Sequence, residues 1–534
     1  MITVDGTPQW PAADADRYRR LGYWRDETLG SLLRGRAVQH PDRVALVDGD
    51  RRISYDRLDQ DADRIAAGLL CRGLVPGDRI VVHLPNCAEF VTLLYGCFRA
   101  GVVPVLALPP HRSYEIDHLV ELSGAKAYAG LAASLSAAQP ATDRLFLVGD
   151  TGFSDDRTTS YVDLCGSPSG SFADLAGAAD LAVLLLSGGT TGKPKLIART
   201  HADYGYNLRA SAEVCGLGED TVYLAALPAA HNFALACPGI LGTLWCGGTV
   251  VLAPDGAPDT VFPLIAREQV TVTALVPPLV HVWLEEVAST GAESLRSLRL
   301  LQVGGARLKN GVATRVEPVL GCRLQQVYGM AEGLLNFTRA DDPVELVTGT
   351  QGRPLSEHDE IVIVGPDGEP TADGVAGELW VRGPYTPRGY FRAEAHNRTA
   401  YTVDGFYKTG DLVRRLPSGH LVVEGRLKDV VNRGGDKVPV EEIEELLLGH
   451  PGIHDVAVIG YPDELMGERT CAFVVTKGSR LGRRDVVGLL SGLGVAAYKT
   501  PDRVRVVAEL PRTAVGKVDR SALASSLAVG EETR

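Results

Sequence analysis

The chain has 534 residues, 45% hydrophobic and 22% charged, an ordinary globular composition with enough material for more than one core. A net charge of −12 argues against nucleic-acid binding, which needs a dense basic face to displace counterions from phosphates. Nine cysteines with no C-x-x-C pair argue against a disulfide framework and a structural zinc site, and fit a reducing, cytoplasmic setting.

The first twenty residues, "MITVDGTPQWPAADADRYRR", lack the apolar run of a signal peptide. The longest apolar stretch, "AGVVPVLALPP" at 100–110, is too short to span a bilayer and is broken by proline, so no membrane partner is expected. Strand-like runs then alternate with helical patterns. "RIVVHL" at 79–84 precedes "NCAEFVTLLYGCFRAG", whose apolar residues recur at helical spacing, and "VVPVLAL" follows at 102–108. Further strands are predicted at 145–150, 181–186, 249–254, 272–278 and 298–305. This alternation predicts an α/β fold: a large N-terminal domain of parallel-rich sheets with crossover helices. From about residue 359 the texture changes to "EIVIVGPDGEP", "GELWVRG" and "HLVVEG", short strands with Gly and Pro-Asp-Gly turns that predict a small antiparallel β region. Beyond residue 426 helix "VEEIEELLLGH", strands "VAVIGYP" and "CAFVVTK", helix "RRDVVGLLSGL" and strand "RVRVVAEL" predict a small α+β C-terminal domain. The boundary is placed at "GRLKD", dividing the chain into 1–425 and 426–534. The basic run "KGSRLGRRD" at 477–485 reads as a solvated face.

The segment "LLLSGGTTGKPK" at 184–195 empties an apolar strand into a loop of Gly, Ser and Thr with two lysines. It is not a Walker A loop. Ser187 stands where the first glycine belongs, and Pro194 follows Lys193 where a Mg-binding hydroxyl is required. The loop is nonetheless dense in backbone N–H and hydroxyl donors suited to phosphate. Composition alone leaves phosphate binding and a plain surface turn both open.

The longer string "SGGTTGKPKLIARTH" resembles the phosphate loop of the adenylate-forming superfamily, which includes acyl-CoA synthetases, nonribosomal adenylation domains and firefly-type luciferases. Five further signatures of that superfamily follow in order: "QQVYGMAEG" at 325–333, "GELWVRGPYTPRGY" at 377–390, "YKTGDL" at 407–412, "GRLKDVVNRGGDKV" at 425–438 and "PRTAVGKVDR" at 511–520. "AAHNFALACPG" at 229–239, "YGMAEGL" and "GPYTPRGYFRAEAHN" most resemble the freestanding aryl-acid–AMP ligases that activate salicylate or 2,3-dihydroxybenzoate for siderophore synthesis. The resemblance implies a carboxylate and ATP reacting to an acyl-adenylate and pyrophosphate, with ATP and Mg²⁺ required.

The resemblance also implies roles. Ser187, Gly188, Gly189, Thr190, Thr191, Gly192 and Lys193 cradle the β- and γ-phosphates, and Glu332 holds Mg²⁺. Tyr328 stacks on adenine, with Gly305 and Ala306 as the other wall and Val327 and Gly329 flanking. Asp411 accepts the ribose hydroxyls and Arg426 assists. Lys517, an unremarkable exposed lysine in isolation, becomes the clamp between substrate carboxylate and α-phosphate. His231, alone readable as a core histidine, gates the acyl pocket and joins Lys517 as a catalytic candidate. Lys428 is the hinge on which the mobile C-terminal domain rotates. Gly434 and Gly435, otherwise a plain turn, line the tunnel for a pantetheine thiol.

The acyl pocket is expected to be built from Asn232, Phe233, Cys237, Ala306, Val327 and Leu335. The Asn232 amide suits a hydroxyl ortho to the substrate carboxylate. Dihydroxybenzoate ligases resemble one another in carrying Ser where this chain has Cys237, and a smaller Val where it has Leu335. A thiol is a poor partner for a second ring hydroxyl. Salicylate is therefore the first choice, with a substituted 2-hydroxy acid left open by Ala234, where relatives have Pro. The chain has no Asp-Ser dipeptide for phosphopantetheine attachment, so the expected acceptor is a separate carrier protein. An aryl-CoA ligase, a 2,3-dihydroxybenzoate–AMP ligase, a non-catalytic ligand-binding relative and a luciferase-like oxidative enzyme are the alternatives. Retention of Lys517, Glu332 and Asp411 speaks against the non-catalytic one.

Overall fold

The computed structural model describes residues 2–150, 156–165, 172–187, 194–426, 430–476, 481–511 and 518–529. The apolar runs become two large sheets. In one, the strands run in the order Arg353–Pro354, Leu335–Phe337, Arg323–Gly329, Leu300–Val303, Val272–Leu275, Val222–Ala225, Thr249–Leu252, Val44–Asp48 and Arg51–Ser54. Its central strands are parallel, and the pairs at both edges are antiparallel. The other sheet runs Tyr390–Phe391, Leu196–Thr200, Leu181–Leu186, Val103–Leu106, Arg79–His83, Ala127–Leu131, Arg144–Val148 and Thr158–Ser160. It too is parallel except at the edge formed by the first three strands.

The helix Ala88–Ala100 holds the two sheets together. Every residue in it but Glu89 is buried, so it is apolar all round rather than on one stripe. It shares one core with strand residues of both sheets, among them Ile80 and Ala127 on one side and Tyr223 and Leu252 on the other. The helix Tyr55–Cys71 packs against it at Gly96, where an added Cβ would lie 2.3 Å from Ile65. The last turn of Ala88–Ala100 carries Arg99, which is fully buried and paired with Asp59 and Asp63 of Tyr55–Cys71.

The predicted antiparallel region is a four-stranded sheet, Glu360–Val364, Gly377–Arg382, Tyr407–Arg415 and Leu421–Arg426. The sheet changes between Leu421–Arg426 and Val430–Arg433. The latter belongs to the C-terminal unit with Asp436–Pro439, Gly467–Thr476, Ile453–Asp463 and Arg503–Val506. The small unit packs on the large one through buried charge. Lys499 reaches Glu115 of the large unit at 3.2 Å and Glu442 of its own unit at 3.0 Å, all three being at most 2% exposed. Glu115 also accepts from the Ala496 backbone N–H at 3.0 Å. All nine cysteines are free, and among the described residues no helix is long and apolar enough to cross a membrane.

One joint ties the small β region to the first large sheet. The Leu335 N–H donates to the Tyr385 hydroxyl at 3.0 Å, and that hydroxyl donates to Asp359 Oδ2 at 2.7 Å. The Ser356 N–H also donates to Oδ2, at 3.0 Å, while Oδ1 is shut off from solvent with no hydrogen-bond partner among the described residues. Burial pushes the Asp359 carboxyl up to about 7, against the lowering influence of those donors and of Arg339. A carboxyl raised in the folded state binds its proton more tightly there than in the unfolded chain. Its contribution to stability is present below the unfolded value and is lost as pH rises through the folded one. Asp359→Asn, which cannot ionise, should therefore gain on the wild type between about pH 5 and about pH 8. Apparent melting midpoints of the two proteins at both pH values check this, and a pH-independent difference would show that Asp359 is not raised.

Candidate functional site

A cleft of about 760 Å³ opens at the carboxyl ends of the large sheets' strands, the place where open α/β sheets bind ligands. Ser187 follows the strand Leu181–Leu186, Gly305 follows Leu300–Val303, and Glu332 follows Arg323–Gly329. The strand Leu181–Leu186 pairs antiparallel with Leu196–Thr200, so the element that follows this segment is a strand and not the helix that follows a Walker A loop. Ser187 closes its base. The Ser187 N–H donates to the Lys195 carbonyl at 2.9 Å, and its Oγ accepts from the Lys195 N–H at 3.0 Å. Gly188, Gly189, Thr190, Thr191, Gly192 and Lys193 lie outside the described residues, as do Lys428 and Lys517.

On the nucleotide side, the Tyr328 hydroxyl donates to Asp411 Oδ2 at 2.7 Å, and the Asp411 N–H donates to Thr409 Oγ1 at 3.0 Å. Arg426 faces Asp411 across the antiparallel pair, with its side chain outside what is described. Gly305 sits at φ +80°, a conformation natural to glycine, with the half-buried Ala306 beside it. Glu332 is 6% exposed. Its Oε1 accepts from the Tyr390 hydroxyl at 2.8 Å, which lies 2.8 Å from the Tyr407 hydroxyl. Gly333 follows at φ +98°, where a Cβ would lie 2.6 Å from Thr386 Cα, so only glycine lets the chain turn away from Glu332. Among the described residues no three His, Cys, Asp or Glu side chains gather as a cation cage. One buried carboxylate in a cleft that Ser187 also lines is nevertheless the donor set that Mg²⁺ uses when substrate phosphates complete its shell. The residues present fit that ion.

The acyl side is built on the short helix Asn232–Ala236, whose first N–H groups are capped by His231. The His231 Nδ1 accepts from the Phe233 N–H at 3.2 Å. His231 is exposed on the cleft it lines, with protein atoms crowded around its ring. Desolvation, reinforced by Lys437, pulls its pKa below the ordinary value and leaves the imidazole neutral at pH 7. Asn232 accepts from the Tyr204 hydroxyl at its Oδ1, 2.7 Å away, and its Nδ2 donates to Cys237 Sγ at 3.4 Å. The Cys237 thiol donates in turn to the Asn232 carbonyl at 3.4 Å. Phe233 lies against Gly304, where a Cβ would come 3.0 Å from its ring. Val327 pairs with Phe337 across the strands, and Gly329 lets Leu335 close in, since a Cβ there would lie 2.4 Å from Leu335 Cδ2. Behind Cys237, Gln302 donates to the Cys237 carbonyl at 3.4 Å and to Gln325 Oε1 at 3.0 Å.

The small unit reaches this cleft through the hairpin around Gly434 and Gly435, at φ +65° and +109°. Asn432 Nδ2 and Lys437 Nζ donate to the Gly305 carbonyl at 2.9 Å and 3.2 Å. A Cβ on Gly435 would lie 2.9 Å from Val276, so the two backbones approach only because that residue is glycine. Of the site residues named from sequence that are described, all but Arg426 and Gly434 line one cleft. Sequence reasoning passed over the supporting side chains Tyr204, Tyr385, Tyr390 and Gln302. A polar residue in a stretch otherwise destined for burial is the signal that points to them. Burial pushes the Cys237 thiol up to about 12, so it stays protonated and unreactive. Alkylation by iodoacetamide near pH 8 should mark Cys71, the exposed cysteine, and leave Cys237 intact by peptide mass spectrometry.

Residues 33–391 match the AMP-binding enzyme family, and residues 442–517 match the AMP-binding enzyme C-terminal domain. The chain is 50% identical over 539 residues to a salicylyl-CoA synthase / salicylate adenylyltransferase of Streptomyces sp, with 98% of each chain covered. It is 46% identical over 535 residues to the 2,3-dihydroxybenzoate-AMP ligase of Bacillus subtilis, with 98% of each chain covered. Among solved structures, Mycobacterium smegmatis MbtA in its apo form is 46% identical, with a TM-score of 0.75 over 97% of this chain and 98% of that one. The chain belongs to the AMP-binding enzymes, and within them to the adenylate-forming aryl-acid ligases.

Proposed function

We propose that the chain activates salicylate, or a close 2-hydroxyaryl acid, with ATP. It then hands the acyl group to the phosphopantetheine thiol of a separate aryl carrier protein. The observation that carries the substrate reading is the closed pairing of Asn232 with Cys237. The thiol spends its proton on the Asn232 carbonyl and its sulfur on the Asn232 amide, so no polar group there is left for a 3-hydroxyl. Desolvating that hydroxyl unpaired costs about 1–3 kcal/mol. The Streptomyces relative's name supports salicylate and supports CoA as the alternative acceptor. The Bacillus relative's name supports 2,3-dihydroxybenzoate as the alternative acid. The nine free thiols support a cytoplasmic setting.

In the first half-reaction a carboxylate oxygen attacks the α-phosphorus in line. The bond from that phosphorus to the bridging oxygen breaks, and pyrophosphate leaves without any proton transfer. Catalysis is then positioning plus neutralisation of charge on the transferring oxygens. Tyr328 offers its ring to adenine between the Gly305–Ala306 backbone and Asp411, and Asp411 receives the ribose hydroxyls with help from Arg426. Residues 187–193 hold the departing phosphates. Mg²⁺, held by Glu332 and those phosphates, supplies further charge neutralisation when bound. Lys517 clamps the carboxylate to the α-phosphate. In the second half-reaction the thiol sulfur bonds to the acyl carbon, the acyl–phosphate C–O bond breaks, and AMP and the thiol proton leave. The small unit, rotating about Lys428, presents the Gly434–Gly435 hairpin for that step, in the pose where Asn432 and Lys437 bind the Gly305 carbonyl.

Lys517→Ala should lower ATP–pyrophosphate exchange by about 10²–10³-fold while leaving transfer from preformed salicyl-adenylate nearly intact, because the clamp serves only the first step. Exchange at the wild-type rate would remove Lys517 from the mechanism. Cys237→Ser with Leu335→Val should raise kcat/KM for 2,3-dihydroxybenzoate relative to salicylate by about ten- to two-hundredfold. The serine supplies a stronger donor and acceptor, and the valine returns about one methylene of space. A double-mutant cycle with both acids measures this, since neighbouring pocket residues rarely act additively. A wild type that already prefers the dihydroxy acid would overturn the salicylate reading and leave adenylation standing.

A further inference from the structure

The polarity of the acyl pocket is set from behind it. Tyr204 lies on the helix His201–Val214, fully buried, with the Arg199 guanidinium 4.7 Å above its ring and Arg199 itself paired to Asp203 at 2.6 Å. Its hydroxyl meets Asn232 Oδ1 at 2.7 Å. An asparagine amide can be turned either way round, and its partners decide which. Here they agree. The Cys237 proton goes to the Asn232 backbone carbonyl, so the sulfur presents lone pairs to the side-chain amide and requires its nitrogen. The oxygen is thereby turned to Tyr204, where it needs a donor. Burial keeps that phenol protonated and able to donate. An amide nitrogen carries two hydrogens. One goes to Cys237, and the other is what Asn232 offers the cleft it lines.

We infer that Tyr204 is a positioning residue that locks Asn232 as a hydrogen-bond donor, so that the enzyme selects aryl acids carrying an acceptor atom ortho to the carboxylate. The inference rests on the reading above that Asn232 faces the ortho position. The chemistry of the two simplest ortho-substituted acids separates cleanly on this point. In 2-hydroxybenzoate the phenol proton turns inward to the substrate's own carboxylate, and the oxygen faces outward as an acceptor. In 2-aminobenzoate one N–H turns inward in the same way, but the second points outward and meets the Asn232 N–H, donor against donor. A site whose buried donor is left facing a donor rejects that substrate strongly.

The test is ATP–pyrophosphate exchange with both acids in the wild type, Tyr204→Phe and Asn232→Ala. The wild type should favour 2-hydroxybenzoate by about a hundredfold or more in kcat/KM. Tyr204→Phe removes one oxygen and keeps the ring under Arg199. Asn232 is then free to turn, and the preference should narrow at least about tenfold. The readout is a ratio within one preparation, so a partly misfolded variant, which lowers both acids alike, does not move it. A wild-type ratio in Tyr204→Phe, with a narrowed one in Asn232→Ala, would overturn the role of Tyr204 alone. An unmoved ratio in Asn232→Ala, or a wild type indifferent to the two acids, would overturn the placement of Asn232 and this inference with it.

Discussion

A buried acceptor left without a donor costs about 1–3 kcal/mol, and the cleft is built under that constraint. Four tyrosines meet it. Tyr204 donates to Asn232, Tyr328 to Asp411, Tyr385 to Asp359 and Tyr390 to Glu332, at 2.7–2.8 Å. Each phenol extends from a different element and fixes one acceptor at the cleft or directly behind it. Tyrosine suits the task because its ring adds to the core while its hydroxyl remains a donor, and burial keeps the Tyr204, Tyr385 and Tyr390 phenols protonated. The carboxylates and the amide are thereby held in single orientations before any ligand arrives, which is what positioning catalysis requires.

The same constraint shapes the junction of the two units. Lys499 shares its ammonium between Glu115 and Glu442 in a place closed to water. Separating the units has to rehydrate all three groups together, because removing one partner alone leaves an uncompensated buried charge. The contact is therefore made or broken as a whole. Around it the hairpin of Asn432 and Lys437 reaches the Gly305 carbonyl, so the position of the small unit and the wall of the cleft are mechanically joined.

Much of this was legible in the sequence because the parallel strands are predominantly apolar runs: Leu181–Leu186, Val272–Leu275 and Leu300–Val303 fall inside the predicted stretches, the last two with one polar residue each. The antiparallel region announced itself by alternation and Pro-Asp-Gly turns. The strands that finish the site did not. Leu335–Phe337 and Tyr390–Phe391 have three and two residues, too few for any period to show, and they exist only because neighbouring strands supply partners. The N-terminal helices Leu29–Gln39 and Tyr55–Cys71 also went unread, since the alternation that guided the reading begins after them. The motif loops were legible as motifs. Tyr204 was not, because it sits in a helix of mixed composition, and its meaning depends on Asn232, 28 residues away, and on the thiol beyond it.

On the proposed function, the two halves of the acyl pocket would discriminate on different scales. Leu335 and Cys237 would act at the 3-position through about a methylene of space and a weak thiol, effects that separate substrates by roughly ten- to two-hundredfold. Asn232, with its orientation fixed, would act at the 2-position through a buried donor, and a mismatch there would leave two polar groups unpaired. Such mismatches reach about 10⁴–10⁵-fold. On the proposed reading, the ortho group is therefore the feature the enzyme selects stringently, and a further ring hydroxyl is only disfavoured. Small replacements at 237 and 335 are then enough to move such a pocket between mono- and dihydroxylated acids. A change of ortho chemistry has to rebuild the pairing of Asn232, Cys237 and Tyr204 together.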